Sequence, residues 1–281
     1  MFGVDRQVYY RNLKRRKKRK QNATQIVSWI EELRMLHPKM GGKKLYFLLR
    51  NKLETLRIGR DKFFDILRAN HLLIIPKKCY HKTTNSYHRF KKHKNLIKEY
   101  CVRKPNHIWV SDITYLGNRA NPAYLSLITD AYSKKIVGYD VSDSLAVESS
   151  LKALKMALKN EKIKELIHHS DRGLQYCSDD YQKLLNKNKI RCSMTQESDP
   201  YENAIAERIN GILKQEYDID KFDVDLKTRK ILVKQVVKVY NELRPHLSNH
   251  YLTPVQMHRQ QELIPKSYKK KNSTNSQECT V

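Results

Sequence analysis

Ile26, Trp29, Ile30, Leu33 and Leu36 recur at helical spacing, and His37-Pro38 ends the helix they predict. Gly41-Gly42 makes a turn, after which Leu45, Leu48 and Leu49 form a second apolar face. A polar stretch ending in Gly59 leads to a third helix, with Phe63, Phe64 and Leu67 facing inward. Asp61 stands near its start, where a carboxylate suits the unpaired amides. From residue 105 the pattern changes. Residues 107–117, 123–131 and 135–143 read as three strands, and the short segments between them favour an antiparallel meander. Residues 147–158 predict an amphipathic helix with Leu151, Leu154 and Leu158 on one side. A strand over 166–170 ends at Asp171, and a helix from Asp179 carries Tyr181, Leu184 and Leu185. A short strand over 191–195, a polar loop, a helix over 203–217 and a longer one over 227–243 complete the series. No internal repeat is visible.

Three strands in meander followed by strand–helix alternation is the order of a ribonuclease-H-like fold. The expected class is therefore α/β: a mixed five-stranded sheet flanked by helices, preceded by a small helical, helix-turn-helix-like domain. The segments are a basic N-terminal arm (1–22), the helical domain (23–75), a basic linker (76–104), the core (105–262) and a tail (263–281). The tail is rich in Lys, Ser and Asn and is expected to be disordered.

Charge adds a partner. In 281 residues, 56 Lys and Arg stand against 29 Asp and Glu, a net of +27. Residues 1–20 hold nine Lys or Arg against Asp5, and residues 76–104 hold ten against Glu99, so these two segments supply 17 of the excess charges. Neither has a sustained hydrophobic period, so both read as arms or linkers rather than packed elements. Such an excess is most easily understood if a polyanion neutralises it, and nucleic acid is the obvious one. Lys43, Lys44, Arg57, Arg60 and Lys62 gather around the helical unit, which reads either as a DNA-binding helix-turn-helix or as a bundle packed on the core. The tightest apolar run, residues 72–75, is far too short to span a bilayer, and no apolar stretch follows the basic start as a secretory signal requires. A cytoplasmic location is expected. The five cysteines are scattered without C-x-x-C spacing. Cys79, Cys101, His81, His88 and His93 fit no common zinc pattern, and a solvated basic linker is the preferred reading.

Three acids stand out by position. Asp112 lies mid-strand among Ile108, Trp109, Val110 and Ile113, where an unpaired charge is costly. Asp171 emerges at a strand end before Arg172-Gly173, and Glu207 is on a helix whose other face carries Ala204, Ile205, Ile209 and Leu213. Clustered carboxylates repel until their pKa values rise or cations neutralise them. Hard oxygen ligands suit Mg²⁺, or Mn²⁺ in its place. Two such ions can clamp a scissile phosphate, one activating the attacking oxygen and one stabilising the leaving oxygen. Spacing alone does not separate these acids from scattered ones.

The surrounding strings do. Residues 109–115 (WVSDITY), 168–173 (HHSDRG) and 203–207 (NAIAE), with 35 residues between Asp171 and Glu207, resemble the DDE core shared by retroviral integrases and bacterial insertion-sequence transposases. The likeness is nearest to the OrfB-type subunit of elements that make their full transposase by frameshifting. It covers nearly the whole chain, from residues 6–11 (RQVYYR) to 240–246 (YNELRPH) and 252–254 (LTP).

The resemblance implies metal-dependent DNA strand cleavage and strand transfer. Asp112 and Asp171 would hold one Mg²⁺, and Asp112 with Glu207 the other. Lys214, two helical turns beyond Glu207, is similar to a family lysine thought to approach DNA. Asn203 would orient a carboxylate or cap its helix, and His169 and Tyr176 would support Asp171. The Arg244-Pro245-His246 turn reads as packing and DNA-backbone contact. Double-stranded DNA, a homo-oligomer on DNA, and the upstream-frame subunit or its fusion are the implied partners, since no separate end-recognition domain precedes the helical unit. Asp199-Pro200 departs from the family loop, which often carries Gly before the Pro. A DNA-binding regulator with an inert core, and a ribonuclease H acting on hybrids, are the rival readings.

Overall fold

The computed structural model describes residues 5–75, 93–97, 102–117, 121–196 and 203–266. Most of the expected linker, Cys79, Cys101, His81, His88, the Asp199-Pro200 loop and the tail from residue 267 lie outside them. Four helices come first: α1 (Arg6–Leu36), α2 (Gly42–Leu48), α3 (Arg50–Thr55) and α4 (Arg60–Ala69). Their buried core is Ile26, Ile30, Met40, Leu45, Leu49, Leu53, Phe63 and Leu67; Met40 and Leu53 join the periodic positions, whereas Leu36 and Leu48, expected on apolar faces, are exposed. The start of α1 differs from expectation. Residues read as an arm are helical from Arg6, capped by the Asp5 side chain accepting from the Gln7 amide, yet every residue from 5 to 21 is exposed. Lys, Arg, Gln and Leu form helix well without an apolar face, so propensity rather than packing shapes this half. That is why periodicity missed it.

The core holds β1 (Ile108–Gly117), β2 (Pro122–Asp130), β3 (Ile136–Ser142), α5 (Val147–Asn160), β4 (Ile167–Ser170), α6 (Leu174–Cys177), α7 (Asp179–Lys187), β5 (Arg191–Met194), α8 (Ala204–Tyr217), α9 (Leu226–Glu242) and α10 (Pro254–Arg259). The strands form one sheet in the order β3-β2-β1-β4-β5. The first three are antiparallel, while β4 and β5 run parallel to β1. This is the expected mixed five-stranded sheet behind a helical region. The short α3, which lies in the expected polar stretch before Gly59, and α6 and α10 were not foreseen, having too few residues to show a period.

Alternation along the strands builds two layers. Trp109, Ile128 and Val137 pack with Ala153, Leu154, Tyr181 and Leu185 on the α5/α7 side. Leu116, Leu125, Leu127 and Val141 pack with Ile209, Leu213, Val233 and Tyr240 on the α8/α9 side. At Gly138 a Cβ would lie 2.1 Å from the Ala153 carbonyl oxygen, so α5 rests directly on the backbone of β3.

The helical region is fastened to the end of α8. The Lys39 amide donates to the Glu216 carbonyl (3.1 Å), His37 Nδ1 bonds Tyr217 Oη (3.0 Å), and Phe47 stacks on Tyr251 at 4.5 Å. Glu216 takes a two-pronged bond from Arg244 (2.8 Å each) and a third from Lys44 (2.6 Å). No helix among the described residues is long and apolar enough to cross a membrane.

Candidate active site

On β1, Ile108, Val110 and Leu116 point toward α8 and α9, and Trp109 points the other way. Asp112 shares the parity of Val110 and so faces α8. There Asn210, buried on α8, donates from Nδ2 to Asp112 Oδ2 at 2.8 Å. The Ile113 amide donates to Oδ1 at 2.9 Å.

Asp171 is placed by register. Ser111 of β1 pairs with Ser170 of β4 in parallel, so the next residues, Asp112 and Asp171, continue side by side where β4 ends. The Gly173 amide donates to Asp171 Oδ1 at 3.0 Å and turns the chain into α6. Glu207 occupies the first turn of α8, whose Ala206 packs beside Ile108, Val110 and Ile167. Its side chain is exposed.

Electrostatics links the three. Burial first, and then the neighbouring Asp171 charge, push the Asp112 carboxyl up to about 7. The bonds from Asn210 and Ile113 oppose this, while Glu207 adds a smaller upward push. Partial burial also raises Glu207. Asp171 and Glu207 thus lie close enough to Asp112 for their charges to raise its pKa. Among the described residues, no three His, Cys, Asp or Glu side chains stand close enough together to hold a metal ion.

Behind the acids lies a buried polar layer. His168 Nε2 bonds both Ser111 Oγ (2.7 Å) and Tyr181 Oη (2.9 Å), and burial, then His169, holds its pKa down to about 3. His169 Nδ1 bonds Ser193 Oγ (2.8 Å), joining β4 to β5. Tyr176 packs edge-on to Tyr181; burial first, and also Asp171 and Asp112, keep its phenol protonated.

Two stretches match known families, both described as integrase core domain, at residues 102–200 and 188–254. The chain belongs to the insertion-sequence transposases with an integrase-like core. It is 29% identical to the 31 kDa protein of insertion element IS600 from Shigella sonnei, over 88% of this chain and 92% of that one. It is 37% identical to a putative transposase for the element IS986/IS6110 of Mycobacterium tuberculosis, over 40% of this chain and 42% of that protein. In fold it is similar to a chain of the simian T-cell lymphotropic virus intasome structure, at a TM-score of 0.50 and 19% identity, covering 84% of this chain and 80% of that one. Membership of this family places the chain in DNA transposition and integration.

Other expected site residues of this transposase fall differently. Asn203 neither caps α8 through its side chain nor reaches Glu207; its amide donates to the Ser111 carbonyl (3.0 Å), pinning the helix start beside Asp112. Lys214 is half-buried on the Glu207 face. Lys43, Arg60 and Lys62 are exposed on the helical region. Lys44 is not: its ammonium is tucked against Glu216, and burial, then Arg244, lowers its pKa to about 8. It serves the contact between helical region and core, not a DNA surface. Arg244 is likewise buried on Glu216, so that turn is packing rather than DNA-backbone contact. Asn210 was missed. The available signal was a polar residue inside the apolar stripe of Ala206, Ile209 and Leu213.

Proposed function

We propose that this transposase cuts and joins DNA strands at a divalent-cation site formed by Asp112, Asp171 and Glu207. One observation carries the reading: Asp171 at the end of β4 and Glu207 in the first turn of α8 lie close enough to Asp112 of β1 that their charges add to burial in raising its carboxyl to about 7. The donor set is all carboxylate oxygen, and each Asp112 oxygen accepts one hydrogen bond, keeping a lone pair for a ligand. Asp112 and Asp171 would hold one Mg²⁺, and Asp112 with Glu207 a second, Mn²⁺ serving in their place. Such ions, when bound, polarise the phosphodiester and lower the pKa of the attacking hydroxyl.

The chain's own residues supply position. Asn210 fixes one Asp112 oxygen, and Asn203 fixes the backbone one residue earlier. Glu207 sits on a helix anchored at its other end by Glu216, so the third acid is carried by a held element. Lys214, on the same α8 face, is suited to a phosphate of the bound strand. Lys43, Arg60 and Lys62 would present positive charge to the duplex. The upstream-frame subunit, or a fusion to it, would supply recognition of the element's ends.

The test is a strand-transfer assay. A duplex carrying the element's terminal sequence, taken from DNA flanking the reading frame, is incubated with Mg²⁺ and the chain fused to its upstream frame. End-specific nicking and joining are expected, lost in Asp112→Asn, Asp171→Asn and Glu207→Gln. DNA binding without metal-dependent cleavage would favour a regulator, and cleavage confined to RNA–DNA hybrids a ribonuclease H. Asp112→Asn as active as wild type would sink the ligand assignment.

A further inference from the structure

Residues 14–20 of α1 are seven consecutive cations, and no acid occurs between Arg6 and Ile30. All seven are exposed, and none forms an ion pair among the described residues. At 100° per residue, seven successive side chains wrap almost two turns, so positive charge points to every side of the helix. That distribution selects a partner. A flat anionic surface such as a lipid bilayer is met by a helix with one charged face and one apolar face, and residues 14–20 contain no apolar side chain. An all-round sheath fits a partner with negative charge on two sides at once. The major groove is about 12 Å wide between two phosphate rails, and a helix with its side chains is roughly 10–12 Å across. Seven helical residues rise about 10 Å, a length over which duplex DNA carries about six phosphates.

We infer that the basic segment 14–20 of α1 binds duplex DNA as a free-standing helix set in the major groove, contacting phosphates of both strands and no particular sequence. The inference rests on DNA being the substrate, but its readout is binding, not chemistry. The segment is joined without a break to Ile26 and Ile30 in the core of the helical region, so DNA held there is held relative to that region.

The experiment compares the salt dependence of binding to a random-sequence 30-base-pair duplex for two full-length proteins. One is wild type, and the other has Lys14, Arg15, Arg16, Lys17, Lys18, Arg19 and Lys20 all changed to Gln, which keeps helix propensity; far-UV circular dichroism checks the fold. The slope of log K against log salt should shrink by about 0.9 per lost phosphate contact, a fall of four to six in all. A fall of one or less overturns the inference. So does a variant that loses binding to phosphatidylserine vesicles while its DNA slope stands. Binding is read without metal and without cleavage, so failure of the carboxylate site and failure of this contact give different results.

Discussion

At the scale of single residues, Asn210 fixes one oxygen of the Asp112 carboxylate. Its amide is the only side-chain donor to that carboxylate among the described residues, and it stabilises the charged form. Asn210→Ala should lower strand transfer at least tenfold at limiting Mg²⁺, with part recovered at high Mg²⁺, while DNA affinity stays the same. Titrating the metal in the assay separates this from simple misfolding. Asp112→Asn carries the opposite signature. Asp112 is raised from its ordinary value to about 7, so at pH 8 without metal the ionised form costs the fold stability. The variant should therefore melt a few degrees above wild type in EDTA, and Mg²⁺ should raise the melting temperature of wild type only; an Asp112→Asn protein that melts lower in EDTA contradicts the crowding of charge. The placement of the three acids on β1, just after β4 and on α8 was legible because the apolar patterns around them marked those elements. Asn210 was not, since one amide in an apolar stripe reads as ordinary helix until β1 is laid across it.

Among the elements, those long enough to repeat a buried face were readable, and those that were short or had no buried face were not. The strands and the helices α5, α7, α8 and α9 were found within one or two residues, because alternating and 3.6-residue apolar patterns report directly which side is buried. The first half of α1 has no buried side, and α6 is a single turn created by the chain reversal at Gly173. Close approach of elements was equally hidden. Gly138 shows nothing special in sequence, yet α5 lies so near β3 that any side chain there collides with the Ala153 carbonyl. Gly138→Ala should cost about 1–3 kcal/mol, the range for forcing extra atoms into a packed layer. Thermal denaturation would show a drop of several degrees, with Mg²⁺ dependence unchanged because the site is on the other side of the sheet. An unchanged melting temperature would mean that α5 can slide.

For the whole molecule the governing contact is the one joining the helical region to α8, and it makes stability depend on pH in two directions. Burial alone would raise Glu216, but Arg244 and Lys44 hold its carboxyl down to about 2, against an ordinary 4.5. A carboxylate whose folded pKa lies below its unfolded one contributes stability in full above about 4.5. That contribution is lost as pH falls toward about 2. Its size is on the order of 3 kcal/mol. Lys44 works the other way: lowered from 10.5 to about 8, its charged form costs stability below about 8, and the cost disappears as pH rises toward 10.5. Two cations therefore share one carboxylate, and they are not equivalent. Arg244→Ala removes both strong bonds and leaves Glu216 buried with Lys44 alone, an expected loss of about 3–5 kcal/mol. Lys44→Met removes a desolvated surplus charge and should be nearly neutral at pH 7, with a flatter stability profile between pH 8 and 10.5. It should also leave the salt dependence of DNA binding intact, whereas Lys43→Gln, one residue earlier and exposed, should reduce the slope by up to about 0.9. Urea denaturation across pH together with binding isotherms measures both. A Lys44→Met protein that unfolds easily at neutral pH, or that binds DNA with a smaller slope, would return Lys44 to the DNA surface that the sequence alone suggested.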